Sequence, residues 1–339
     1  MITSFHIKDF GPIGDVTCNK IGKINLVIGP NGSGKTFLLK ALYASLKTTE
    51  LFKRGKEVRK DSEILFDKLH WTFQIDQLGE LVRANARNAE ISMAIQNKGC
   101  AKSEFAYSFG PATERLIKIR ANTCHSAMID SIFLPAKEVL SLLDTVIRSR
   151  EEYKEFGFDE TYYDLAKSLQ IHTTKGRNLQ SFSESRNLLK EKLGGSLVYD
   201  EKNKEWSFRQ GNKKYPIATT SEGIKKMSIL DTLLGNHYLK PGATIFIDEP
   251  EAALHPSLIS SFMDIIGILC EANLQFFLSS HSYFVIKKLY LVAHKKNIDI
   301  PVVSLNDDGT MSHGNLREEM PDNPIIDESI RLYKEEIEL

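Results

Sequence analysis

The chain has 339 residues and a mass of 38.3 kDa, room for one large α/β domain or two ordinary ones. Its 44 Lys+Arg balance 44 Asp+Glu, which excludes a protein that coats nucleic acid by bulk charge. An apolar fraction of 42% with 26% charged residues is ordinary for a globular protein and excludes disorder as the main state.

The first thirty residues read as strands. SFHIKDF alternates, Gly11-Pro12-Ile13-Gly14 turns, DVTCNKI returns, and KINLVIG is a β-branched run ending in glycine. TFLLKALYASLK carries Leu38, Leu39, Ala41, Leu42 and Leu46 at helical spacing. Residues 51–62 are charged and predict an exposed loop or short connecting helix. From Lys68 to about Arg120 the pattern predicts strands and hairpins (HWTFQID, ELVRANA, ISMAIQN, EFAYSF, RLIKIRA), and SIFLPAK a buried strand. Residues 137–194 turn helical, and GSLVYDEKNKEWSFRQGNKKYPI reads as a hairpin. Helices and strands then alternate: SEGIKKMSILDTLLGNHY, ATIFIDEP, PSLISSFMDIIGILCEA, QFFLSSHS, YFVIKKLYLVAHK and PVVSLND. That alternation predicts a mostly parallel sheet.

Cys18, Cys100, Cys124 and Cys270 are scattered without a C-x-x-C pair, so neither a zinc site nor a disulfide framework is expected. MITSFHIKDF is not built like a signal peptide, and no stretch has the ~18 apolar residues of a membrane helix, so a cytoplasmic protein is expected.

Gly29-Pro30-Asn31-Gly32-Ser33-Gly34-Lys35-Thr36 fits G-x-x-x-x-G-K-S/T, with a strand before it and an amphipathic helix after it. Glycines let the backbone wrap around phosphates, and the helix start offers N–H donors and a positive dipole end. Lys35 is expected on the β- and γ-phosphates, and the Thr36 hydroxyl on Mg²⁺. In TIFIDEPE an apolar run ends in Asp248-Glu249, at the strand end where open α/β sheets bind ligands. Asp248 is expected as the second Mg²⁺ anchor, and Glu249 as the residue that positions or deprotonates the attacking water.

GPNGSGKT together with IFIDEPEAALHP resembles an ABC-type ATPase head, and the Ser221-Glu222-Gly223 form resembles its SMC, RecF and overcoming-lysogenization-defect group. The implied fold class is α/β: an ABC-ATPase-like P-loop NTPase with an N-terminal antiparallel β lobe and a helical insertion. A single module 1–339 is expected, with residues 1–135 holding the phosphate loop and β lobe, 136–195 the insertion, and 196–339 the signature, acidic pair and switch histidine. The resemblance implies that Ser221 and Gly223, opening a helix in Ser221-Glu222-Gly223-Ile224, act across a dimer on the partner's γ-phosphate; Glu222 and Ile224 depart from the transporter signature. It implies that His281, ending FFLSSHS, senses the γ-phosphate, and that a glutamine completes the site: Gln74, with Gln77 and Gln96 as competitors. FHIKDFGPIGD resembles the opening of RecF and SMC heads, and IFLPAKEVLSL a segment of standalone AAA-type ATPases.

Long coiled-coil arms, membrane helices and a Toprim nuclease domain after His281 are all missing from the pattern. Asp307-Asp308 before Gly309 reads as a turn rather than a metal site. The implied protein is a cytoplasmic homodimer through ATP and Mg²⁺, hydrolysing slowly or on a trigger, and regulating a separately encoded nuclease or toxin in antiphage defence. The alternative is a RecF-like DNA-binding ATPase of repair. Lys53, Arg54, Lys56, Arg59 and Lys60, with Arg83 and Arg87, form either a solvated face or a surface for DNA or a partner, and Lys53 or Arg54 is a further nucleotide-contact candidate.

Overall fold

The computed structural model describes residues 1–96, 101–124, 129–171, 179–200, 203, 205–306, 310–321 and 324–339. Cys100 and the Asp307-Asp308 pair lie outside the described residues. In chain order, strands β1 (Ile2–Phe10), β2 (Ile13–Cys18) and β3 (Ile24–Ile28) lead into helix α1 (Lys35–Leu51) and then α2 (Asp61–Phe73). Strands β4 (Ala89–Ile95), β5 (Ser103–Phe109), β6 (Lys118–Asn122) and β7 (Ile132–Leu134) follow. Helices α3 (Leu143–Arg148), α4 (Glu160–Leu169) and α5 (Gln180–Leu193) precede β8 (Ser196–Asp200), β9 (Glu205–Gln210) and β10 (Lys213–Pro216). The remainder is α6 (Glu222–Gly235), β11 (Thr244–Asp248), α7 (Pro256–Glu271), β12 (Gln275–Ser280), α8 (Tyr283–Lys296), β13 (Pro301–Leu305), β14 (Met311–Asn315) and α9 (Pro324–Ile337).

Among the described residues three sheets form, in the orders β2-β1-β4-β5-β6, β10-β9-β8 and β14-β13-β3-β12-β11-β7. The first two are antiparallel. In the third, β13, β3, β12, β11 and β7 run parallel and β14 adds an antiparallel edge. The architecture is the α/β P-loop fold with an antiparallel β lobe and helices between strands.

Because side chains alternate along a strand, the parallel sheet supplies two cores. Ile24, Leu26, Ile28, Ile245, Ile247 and Leu278 join the core formed with α3–α8. Val27, Phe133, Phe246, Phe277 and Val303 join the core shared with α1 and the five-stranded sheet. Phe133, Phe246 and Phe277 sit in register on adjacent strands, with ring centroids 6.2 and 5.2 Å apart. Tyr43 of α1 packs edge-on to the first two at 5.7 and 5.8 Å. Helix α1 is thus covered on both sides, which explains why Ser45, Thr48, Lys47 and Glu50 are buried along with its leucines.

Three readings from sequence need correction. His70–Phe73 is the last turn of α2, not a strand: Glu63 Oε2 accepts from Lys60 N at 2.8 Å at the helix start, and Lys68 is drawn inside by Glu160 and Asp164. ELVRANA forms a short 3-10 turn at Leu78–Leu81 and one bridge, Phe10 to Val82, instead of a strand. The edge strand β14 and the helix α9 are additional to the elements read from sequence. Among the described cysteines, Cys18 and Cys270 are buried, Cys124 is half-buried, and none is bonded to another. No described helix is long and apolar enough to cross a membrane.

Candidate nucleotide site

The parallel register places three strand ends together. Asp248 of β11 pairs with Ser279 of β12, and Ser280 pairs with Ile28 of β3, so Asp248, Ser280 and the loop from Gly29 share one edge. Gly29 has φ 149, and a Cβ there would lie 2.4 Å from the Leu305 carbonyl oxygen, so the loop can leave β3 in this path only as glycine. Gly34, at φ 93, caps α1 in the left-handed region.

The expected residues meet here. Asn31, Gly32, Gly34, Lys35, Thr36, Gln74 and Glu249 line one cleft of about 450 Å³, together with Lys40 and Asp159. Lys35 Nζ donates to the carbonyls of Gly29 (2.9 Å) and Pro30 (2.7 Å). The Ser33 hydroxyl is buried without a hydrogen-bond partner, an orphan that an anion in the loop would satisfy. Thr36 Oγ1 donates to Asp248 Oδ1 and Oδ2 at 2.8 and 3.0 Å, and Ser279 Oγ also donates to Oδ1. A hydroxyl and a carboxylate converging beside a phosphate loop are hard oxygen donors of the kind Mg²⁺ takes while keeping water and phosphate ligands, so the residues present fit that ion.

Glu249 follows Asp248 with φ 45, and its N–H donates to Ser279 O at 3.0 Å. His281 Nδ1 lies 3.3 Å from Glu249 Oε1 and 3.7 Å from Glu251 Oε1. Glu251 anchors the end of β12 by accepting from Ser280 Oγ (2.8 Å) and His281 N (3.1 Å). Its other oxygen is buried and without a partner.

Of the three candidate glutamines, Gln74 lines the cleft, as the left-handed C-cap of α2 at φ 54. Gln96 follows β4, with its N–H on the Met1 carbonyl, and Gln77 begins the 3-10 turn. Ser221 and Gly223 do not line this cleft. Ser221 caps α6 without a side-chain capping bond, and Gly223 lies against the loop after Glu249, where an added Cβ would meet Ala253 O at 2.5 Å. Arg54 is not a nucleotide contact within its own chain: Asp130 holds it at 2.5 and 2.9 Å just past the far end of α1, whose stretch from Thr36 to Leu51 is about 22 Å long. Lys40 fills the corresponding place beside the loop, with Nζ donating to Asp159 Oδ2 at 2.7 Å.

Lys226, Glu251, Ser279 and the Lys40–Asp159 pair are additions to the residues expected from sequence. Lys226 is buried, and its ammonium donates to three backbone carbonyls: Ala136 (3.3 Å), Asp248 (3.3 Å) and Glu249 (2.5 Å). Desolvation pulls its pKa down to about 8, with the nearby Glu251, Asp248 and Glu249 charges pulling the other way. No local pattern sets Lys226 apart in the sequence, since helix α6 also carries Glu222, Lys225, Ser228, Asp231 and Thr232. A larger hollow, about 630 Å³, lies away from these residues, between the β8–β10 sheet and the 140–145 segment.

Residues 130–287 match the family model described as "AAA domain, putative AbiEii toxin, Type IV TA system". The SMC head bound to the C-winged helix domain of ScpA shares the fold, with TM-score 0.56 and 15% identity over 94% of this chain and 98% of that one. An SMC head with an extended coiled coil, bound to the C-terminal domain of ScpA derived from Pyrococcus furiosus, has TM-score 0.57 and 14% identity over 98% of each chain. A Helicobacter pylori protein named ATP/GTP phosphatase is 22% identical over 342 residues, 88% of this chain and 90% of that protein. An uncharacterized protein of Methanocaldococcus jannaschii is 23% identical over 184 residues, 50% of this chain and 81% of that one. Residues 130–287 are thus similar to an AAA-type ATPase domain, and the chain as a whole has the fold of SMC heads.

Proposed function

We propose that two copies of this chain close head-to-tail on ATP and reopen when it is hydrolysed, and that this cycle controls a separate effector protein. The observation that carries the reading is the convergence of Thr36, Asp248 and Glu249 on the cleft formed by the phosphate loop. When bound, Mg²⁺ would supply charge neutralisation between phosphate oxygens, held by Thr36 and Asp248. Lys35 exchanges its two backbone carbonyls for β- and γ-phosphate oxygens, and the loop N–H groups and the Ser33 hydroxyl take the remaining ones. Glu249 accepts the proton of the attacking water, and His281, already beside Glu249, reads whether the γ-phosphate is present. Gln74 closes the cleft from the α2 side.

Ser221 and Gly223 stand outside their own cleft, which supports a role on the nucleotide of a second copy. ATP then stabilises the closed pair through contacts the open form lacks, which is what lets a ligand shift a population. The module acts as one unit over 1–339, in the cytoplasm. The effector reading, a nuclease or toxin in antiphage defence, draws support from the toxin–antitoxin description of the matched family, and a docking partner from the two SMC heads that carry ScpA domains. A RecF-like DNA-binding role draws less. Arg54 is committed to Asp130, and Arg59 to Glu57 and Asp67, so two of the seven basic residues are already paired with carboxylates.

ATP hydrolysis by wild type, Lys35→Ala and Glu249→Gln tests the site. Loss of nucleotide binding in the first variant and of turnover alone in the second is expected; wild-type turnover by Glu249→Gln contradicts the assignment. Affinity capture from the native host, with and without ATP, tests the effector: a nuclease or toxin is expected, and recovery of nucleic acid alone contradicts it.

A further inference from the structure

We propose that Lys226 is a positioning residue for hydrolysis, tying the helix that opens at Ser221 to the backbone that carries Glu249. The inference rests on the reading of Glu249 as the base. An ammonium has three donors, and Lys226 directs its hydrogen bonds to three carbonyls, two of them consecutive at Asp248 and Glu249. Glu249 is held at φ 45, a conformation that a residue with a side chain adopts only when its surroundings impose it. The Glu249 peptide is pinned at both ends, with its N–H on Ser279 O and its carbonyl on Lys226 and the Ala252 N–H. Turned this way, the carboxylate faces the cleft and His281.

A buried charge bonded to neutral carbonyls is a poor stabiliser beside an apolar side chain of the same size, so packing alone does not account for a lysine here. The position gives it a second property. Lys226 lies one turn after Gly223, which itself abuts Ala253 and Leu254 in the loop that follows Glu249. Helix α6 therefore grips the catalytic segment at two points, and a displacement of its Ser221 end is passed to Glu249. Engagement of Ser221 by a second copy would in this way be felt at the carboxylate of the same chain.

The neighbouring Lys225 provides the control. It is equally buried on the same helix, but its Nζ contacts Glu138 (3.2 Å) and Ser141 Oγ (2.7 Å) instead. The test measures kcat, KM and calorimetric ADP affinity for Lys226→Met, Lys226→Arg, Lys225→Met and Glu249→Gln. Lys226→Met is expected to lower kcat about 100-fold, the effect of misplacing a reacting group by ~1 Å, with nucleotide affinity within about threefold of wild type. Lys226→Arg recovers most of the rate, and Lys225→Met keeps kcat within about threefold. The proposal is overturned if Lys226→Met keeps its kcat, if it loses ADP affinity in parallel, or if Lys225→Met loses as much rate. Should Lys226→Met not fold, Lys226→Gln is judged by the same criteria. A Glu249→Gln enzyme at the wild-type rate sinks the base assignment itself, whereas an inactive Glu249→Gln beside an unaffected Lys226→Met sinks only the role of Lys226.

Discussion

Two clusters of buried charge touch the phosphate-loop helix, and they are built on opposite rules. Along one face of α1, at spacings of three and four, Lys40 and Tyr43 meet Asp159 and Asp164, while Lys47 and Glu50 meet the Ser131 backbone, with Lys47 also 3.3 Å from Glu50 and 3.6 Å from Asp130. Tyr43 Oη donates to Asp164 at 2.6 Å, and Lys68 of α2 reaches Glu160 at 2.5 Å and Asp164 at 3.1 Å. Burial opposes the Lys68 charge, but Asp164 and Glu160 outweigh it, so its pKa rises. Next to the head of α1, reached through the Thr36–Asp248 bond, Lys226 of α6 has backbone carbonyls as its direct partners, and its pKa falls. The ion-paired cluster joins α1 to α2 and α4. The carbonyl-bound one holds the Asp248–Glu249 backbone in place. Main-chain partners occur in both clusters, at Ser131 in the first, so what sets Lys226 apart is that its carbonyls include those of Asp248 and Glu249.

Substitutions on each side of this contrast should fail in different ways. The largest effect is expected for Lys35→Ala, which removes nucleotide binding while the melting temperature stays near that of wild type; calorimetry and thermal unfolding together check it. Lys68→Met should do the reverse, leaving buried Asp164 without its ion-pair partner and Glu160 with Arg150 alone, at a cost of about 3–5 kcal/mol, read as a lower denaturant midpoint. If Lys68→Met loses turnover without losing stability, the two clusters are not distinct. Gly223→Ala sits between them. Its Cβ would press on Ala253 O, so about 1–3 kcal/mol of stability should go, with turnover reduced and ADP affinity kept. The smallest effect belongs to the half-exposed Arg120–Glu90 pair of the β lobe, where Arg120→Ala should cost less than about 1 kcal/mol and leave ATPase rates unchanged.

What the sequence made legible was local. A strand, a glycine-rich loop and a helix in succession locate the phosphate site, and an apolar run ending in Asp248-Glu249 locates its acidic partner, because each motif carries its own context. Aromatic β-formers misled the reading at His70–Phe73: helix α2 ends there because its Lys68 pairs with Glu160 and Asp164, more than ninety positions away. No local pattern announces a partner at that separation. Lys226 escaped notice for the same reason, since its value comes from the carbonyls of Ala136, Asp248 and Glu249 on other segments. Glu251 was visible only as a loop residue; its bonds to Ser280 and His281 appear once β11 and β12 lie side by side.

The measurement that bears most directly on the whole account is the mass of the Glu249→Gln protein in solution, by light scattering, with ATP and Mg²⁺ and then with ADP and Mg²⁺. Twice the chain mass with ATP and a single chain with ADP is the predicted result. A mass that stays the same at saturating ATP would contradict it.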